Sequence, residues 1–184
     1  MKKFLFIPML AIAALAGTTT TTYAQKTVMV GGAPMYPNKN IVENAVNSKD
    51  HTTLVAAVKA AGLVETLQGA GPFTVFAPTN AAFEKLPKGT VDNLLKPENK
   101  ATLTSVLTYH VVAGKWDGAS LMKMVKDGGG KAMVKTVQGG QLTIMQKGKK
   151  LWVMDAKGGK AEVTIADVNQ SNGVIHVIDK VLMP

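Results

Sequence analysis

Three histidines (His51, His110, His176) and four serines (Ser48, Ser105, Ser120, Ser171) are the side chains best suited to proton transfer and nucleophilic attack. A serine nucleophile needs a base beside it and a third group to orient that base. None of these serines stands in a G-x-S-x-G turn, and Ser171, in a polar turn shortly before His176, forms no recognisable triad. The histidines lack H-x-H and H-E-x-x-H spacing and there is no cysteine, so no metal centre is expected. The 12 acidic residues are scattered over helix and turn positions, which offers no carboxylate pair for glycosidic chemistry. Gly71-Pro72-Phe73-Thr74 lacks the amides and the Lys-Ser/Thr ending of a phosphate loop, and Pro78 stands where an anion cradle would need a donor. These residues predict no catalytic site and no cofactor.

The elements that must hold the histidines point the same way. Leu103, Val106, Leu107 and His110 are spaced i, i+3, i+4 and i+7 along one helical face. His176 alternates in phase with Val174 and Ile178, while Ile175 and Val177 fill the other face. A strand apolar on both faces is a buried strand, so both histidines read as hydrogen-bonded core positions. Ten methionines, five of them Met122, Met124, Met133, Met145 and Met154, are read as core filling. Asn169-Gln170-Ser171 matches a glycosylation pattern and is read as a chance match.

Along the chain, Gly31-Gly32-Ala33-Pro34 and Tyr36-Pro37 suggest an extended lead-in over 25–40. Asn40 is a helix cap, and the spacing predicts a helix over 51–61 ended by Gly62. Phe73 to Ala77 reads as a strand, Thr79 or Asn80 as the cap of a short helix, and Pro97 as the start of a longer one. A weak helical pattern covers 116–125. Beyond Gly128-Gly129-Gly130 the period becomes alternating. Strands are predicted at 132–137, 141–146, 150–154, 161–167 and 173–178, with glycine turns separating most of them. Helices first and hairpins second predict one α+β domain over 41–184.

Charge is unevenly placed. All 21 basic residues are lysines. Nine of them, against Asp127 and Asp155 alone, fall between Lys123 and Lys160, a balance of +7. That segment is a candidate surface for a polyanion, or alternatively a solvated face that aids solubility. The absence of arginine argues against reading of nucleic-acid sequence.

At the N-terminus, Lys2 and Lys3 precede an uncharged run from Phe4 to Ala16 and a threonine stretch. This reads as an export signal over 1–24, cleaved after Ala24 or alternatively after Ala16. The run is shorter than the roughly 20 apolar residues of a membrane span. With no cysteine for disulfides or lipidation, a freely diffusing bacterial protein, periplasmic or secreted and more in keeping with a Gram-negative cell, is expected.

Three segments carry a family resemblance. Gly71-Pro72-Phe73-Thr74-Val75-Phe76-Ala77-Pro78-Thr79-Asn80, followed by Ala82-Phe83, resembles the first signature of fasciclin domains. Leu107-Thr108-Tyr109-His110-Val111-Val112 is similar to the central Tyr-His motif, and Asn172 to Asp179 to the second signature. The resemblance implies a wedge-shaped β-sandwich with a helical layer, in which the two signatures are neighbouring central strands. It also implies an adhesive or interaction role without catalysis or cofactor. Tyr109 and His110 match the region that serves integrin binding in animal members. The expectation is therefore an exported, monomeric interaction domain for a protein or an acidic surface polymer, with Tyr109, His110, Lys147, Lys149 and Lys150 as candidate binding residues. The alternative is a periplasmic small-molecule or stress-related protein with a pocket near Tyr109 and His110.

Overall fold

The computed structural model describes residues 27–184; the expected signal peptide and both cleavage points lie outside the described residues. Two strands, β1 (Val28–Val30) and β2 (Ala33–Met35), pair around Gly31 and Gly32. The lead-in expected to be merely extended is thus a hairpin, and Val30 and Met35 are buried against the helices. Helix α1 (Ile41–Ala45) starts at Asn40 with a reciprocal capping box to Glu43. Helix α2 (Thr52–Ala61) ends, as expected, on Gly62 in the left-handed region at φ 74°. It is followed by α3 (Val64–Gln68), strand β3 (Phe73–Pro78), α4 (Asn80–Glu84) and α5 (Thr90–Leu94).

The Pro78-Thr79-Asn80 corner does two jobs. Thr79 caps α4 by accepting from the Ala82 amide. Asn80 reaches back to α2, where its Oδ1 accepts from Thr53 N–H at 3.0 Å and its Nδ2 donates to the Lys49 carbonyl. Helix α2 has no side-chain cap of its own, so Asn80 supplies it from a distance. The long helix α6 (Lys100–Tyr109) runs into the three-residue strand β4 (Val111–Ala113), which the sequence reading did not resolve. Helix α7 (Gly118–Asp127) is capped by Asp117. Strands β5 (Lys131–Lys135), β6 (Gln141–Lys147), β7 (Lys150–Met154), β8 (Lys160–Gln170) and β9 (Gly173–Ile178) complete the chain.

Seven strands form one sheet in the order β4-β3-β9-β8-β7-β6-β5. The two signature segments are β3 and β9, paired in parallel with Phe76 opposite His176. Their start is a close backbone approach: a Cβ on Gly173 would lie 2.0 Å from the Phe73 carbonyl oxygen, and one on Gly71 2.1 Å from that of Asn172. β8 changes register twice between Val163 and Val168, which lets the sheet bend. The two ends then meet, where Val112 bridges Thr136 and the Val137 amide donates to the Val111 carbonyl. The sandwich is one sheet folded over.

It encloses two cores. Val75, Ala77, Ile175 and Val177 face the helices α1, α2 and α6. Phe76, Ile178, Leu142, Ile144 and Val153 fill the inside of the folded sheet together with Tyr109 and Leu121. Phe76 is fully buried and stacked on His176 at 5.7 Å, whereas Phe73 is only half-buried.

Candidate functional site

Tyr109 and His110 sit at the joint between α6 and β4, and both are buried. The Tyr109 hydroxyl donates to the Gln141 carbonyl at 2.8 Å and accepts from the Ala156 amide at 3.0 Å. His110 must carry its proton on Nδ1, which donates to the Val106 carbonyl at 2.7 Å, because Nε2 accepts from the Leu182 amide at 3.0 Å. Burial holds its pKa down to about 4 against the opposing pull of that carbonyl and of Asp155. Both residues spend their polar atoms tying α6 to β6, to the 155–159 turn and to the C-terminal segment. In this structure neither presents a free polar group to solvent.

Beside them lies Asp155, a buried carboxylate that the sequence reading counted only as charge. Its Oδ1 accepts from Lys157 and Gly159 amides at 3.0 and 2.7 Å, and its Oδ2 from Met183 N–H at 3.1 Å. His176 is likewise fixed: Nε2–H donates to the Trp116 carbonyl at 2.8 Å, and Nδ1 faces the Asp167 amide. The remaining histidine is placed differently. His51 Nδ1 bonds Ser48 Oγ at 2.9 Å, and Nε2 has no hydrogen-bond partner. This serine and histidine, which sequence spacing did not join, lack an orienting carboxylate and are both buried, so the pair has none of the access a nucleophile requires. Among the described residues no three histidine, aspartate or glutamate side chains converge on a metal position.

Five lysines of the segment, Lys131, Lys135, Lys147, Lys150 and Lys160, stand on the outer face of the folded sheet, while Lys123 and Lys126 lie on α7. Lys147 and Lys150 are cross-strand partners at the end of the β6–β7 hairpin, with Lys149 in the turn between them. All three are exposed, and Lys150 is ion-paired with Glu162 on β8. The register extends this face over four strands. One row reads Lys131, Met145, Trp152, Glu162 and the next Met133, Thr143, Met154, Lys160. Adjacent strands lie about 4.8 Å apart, so each row spans about 14 Å. Leu142, Ile144, Leu151 and Val153 point the other way into the core. Met145, Trp152 and Met154 therefore stand on the outside, half-exposed, and Met133 is exposed at 69%. For Met133, Met145 and Met154 this replaces the expected core-filling role: strand parity turns them out.

A family model for the fasciclin domain matches residues 49–184. This chain belongs to the fasciclin-domain family. The chain is 47% identical over 171 residues to "Protein sll1483" of a Synechocystis strain, covering 93% of this chain and 86% of that one. It is 41% identical over 145 residues to "Immunogenic protein MPB70" of Mycobacterium bovis, covering 76% of this chain and 66% of that protein. Among solved structures, a fasciclin domain pair from an insect cell adhesion molecule superposes with a TM-score of 0.72 over 80% of this chain and 52% of that one. At 18% identity that likeness carries the fold alone, and this fasciclin chain spans about half of that pair. The α+β fasciclin fold is thus as the sequence predicts. The family is known for adhesion and cell-surface proteins. No helix among the described residues is long and apolar enough to cross a membrane.

Proposed function

We propose that this fasciclin domain is an exported, monomeric adhesive module that binds an acidic polysaccharide of a cell envelope or surface. The observation that carries the reading is the outer face of β5–β8. There Lys131, Lys135, Lys147, Lys150 and Lys160 surround Trp152 and three methionines, with Glu162 as the one acid in the two central rows. An acidic sugar chain has both complementary parts: ring C–H faces that pack on an indole, and carboxylates that meet ammonium groups. The apolar side chains stand in the same cross-strand rows as the lysines, which suits a polymer laid across strands better than insertion into lipid. Lysine without arginine suits charge attraction better than base reading.

The test is binding to immobilised polygalacturonate. Raising salt from about 0.1 M to about 1 M shortens the Debye length from about 10 to about 3 Å and should release the protein. Reversing Lys147, Lys149 and Lys150 to glutamate together is expected to weaken binding at least about tenfold, about 1.4 kcal/mol. Trp152→Ala should weaken it while leaving the salt dependence intact. Binding that ignores both salt and the triple reversal would exclude this surface.

A further inference from the structure

The outward rows of β5–β8 bring three thioethers together. Met133 and Met154 flank Thr143 on either side, and Met145 lies two residues further along the strand of Thr143, on the same face. Met145 is therefore the diagonal neighbour of both, at about 7–8 Å. Met133 and Met154 lie two strand spacings apart, about 10 Å. A methionine sulfur stands three bonds from its Cα, a reach of about 4 Å at ordinary bond lengths. Three unbranched side chains of that reach can meet above Thr143, whose short side chain leaves them the space. Trp152, directly opposite Met145, borders the same spot.

Packing does not account for the cluster. Met133 is exposed, Met145 and Met154 are half-exposed, and none of the three packs against either hydrophobic core. Met122 and Met124 of α7, by contrast, do. Met145 against Trp152 is an ordinary sulfur–aromatic pair, but that pair needs one methionine. Met29 is exposed at 58%, yet it stands on β1, in a different sheet and opposite Pro34.

The donors select the ion. Thioether sulfur is soft and uncharged, which favours copper(I) and offers little to zinc, magnesium or calcium, whose ligands are thiolate, nitrogen or oxygen. The surroundings select in the same direction. Lys131 lies across from Met145 and Lys160 across from Met154, so a divalent cation meets twice the repulsion of a monovalent one. Both lysines are exposed, and their flexible stems let the ammonium groups swing aside. An indole face attracts a cation within about 6 Å.

We propose that Met133, Met145 and Met154 bind one copper(I) ion through their three sulfurs, with Trp152 covering it on one side. The site shares the outer face with the polysaccharide reading and does not depend on it, since the ion needs no sugar to bind.

The experiment is a titration of mature protein carrying ¹³C-methyl methionine with silver nitrate in chloride-free buffer, silver(I) being an air-stable ion of the same charge and softness. The methyl signals of Met133, Met145 and Met154 should move together and saturate at one equivalent, while Met29 stays in place. Trp152 fluorescence should fall over the same range. Copper(I) kept reduced with ascorbate should move the same three methyls, and zinc(II) none. Leucine at any one of the three positions should weaken silver binding at least about tenfold, about 1.4 kcal/mol, whereas Met29→Leu should not. These side chains lie outside both cores, and the methyl shifts are read on unaltered protein, so the test does not hang on a variant's folding. No polymer is present, so failure here leaves the polysaccharide reading standing, and failure of polygalacturonate binding leaves this one. Shifts at Met29 equal to those of the three, no saturation at one equivalent, or leucine variants that bind silver unchanged would each overturn the proposal.

Discussion

At His110 the hydrogen bonds leave room for one protonation state. Its Nε2 accepts from Leu182 N–H, so protonating that nitrogen breaks a buried bond and places a charge in the core. The folded pKa of about 4 lies below the ordinary value of 6.5. Above pH 6.5 the residue is neutral whether the chain is folded or not, and its contribution to stability is whole. As pH falls below 6.5 the unfolded chain takes up the proton and the folded one does not, so stability declines until about pH 4 and then levels off. For His110 alone the loss is about 3 kcal/mol. Burial also lowers the pKa of His51 and His176, and both act in the same direction. Asp117, held below its usual value chiefly by its bond to Ser120, acts only in the more acidic range where carboxylates titrate. Urea midpoints at pH 7.5, 6.0, 5.0 and 4.5 should therefore fall steadily, and a flat profile would refute the assignment of neutral, buried histidines.

Among the elements, β3 and β9 carry the fold, and their roles can be separated by substitution. Phe76→Ala removes a fully buried ring stacked on His176 and should cost about 3–5 kcal/mol. Phe73→Ala, at a half-buried position, should cost clearly less. Gly173→Ala forces the two strands apart, because the new methyl would meet the Phe73 backbone, and should destabilise more than Phe73→Ala despite adding apolar surface. Chemical denaturation of the three variants checks that order. What the sequence made legible here was local: capping by Asn40 and Thr79, the Gly62 stop, and the continuous apolar run of β9 each follow from neighbours in the chain. The β1–β2 hairpin and β4 escaped because strands of three residues are too short for a period to register. The same divide holds for the candidate sites. The lysine excess was countable, but the Met145–Trp152 pairing, the tie between Lys150 and Glu162, and the unpartnered edge of His51 depend on register and long-range packing.

For the whole molecule, the two cores could in principle be two folding units, and the sheet decides against it. Alternate residues of one strand serve both: Val75 and Ala77 pack toward the helices while Phe76, between them, packs into the folded sheet. β9 does the same with Val177 and Ile178. Tyr109 and His110 add a polar tie, since α6 packs in the helical core while the Tyr109 hydroxyl is held by β6 and by Ala156 in the turn after β7. Losing either core strips one face from β3 and β9, and a parallel pair exposed on one face does not persist in water. The two cores must therefore melt together, in one transition, as small domains of this size usually do. Calorimetry of the mature protein should give a calorimetric enthalpy equal to the van't Hoff enthalpy. Near-UV signals from Trp152 and Trp116, on the outer sheet and beside α7, should lose their structure at the same temperature as the far-UV helical signal. Two resolved transitions, or a sheet signal outlasting the helical one, would mean that the shared strands do not couple the cores.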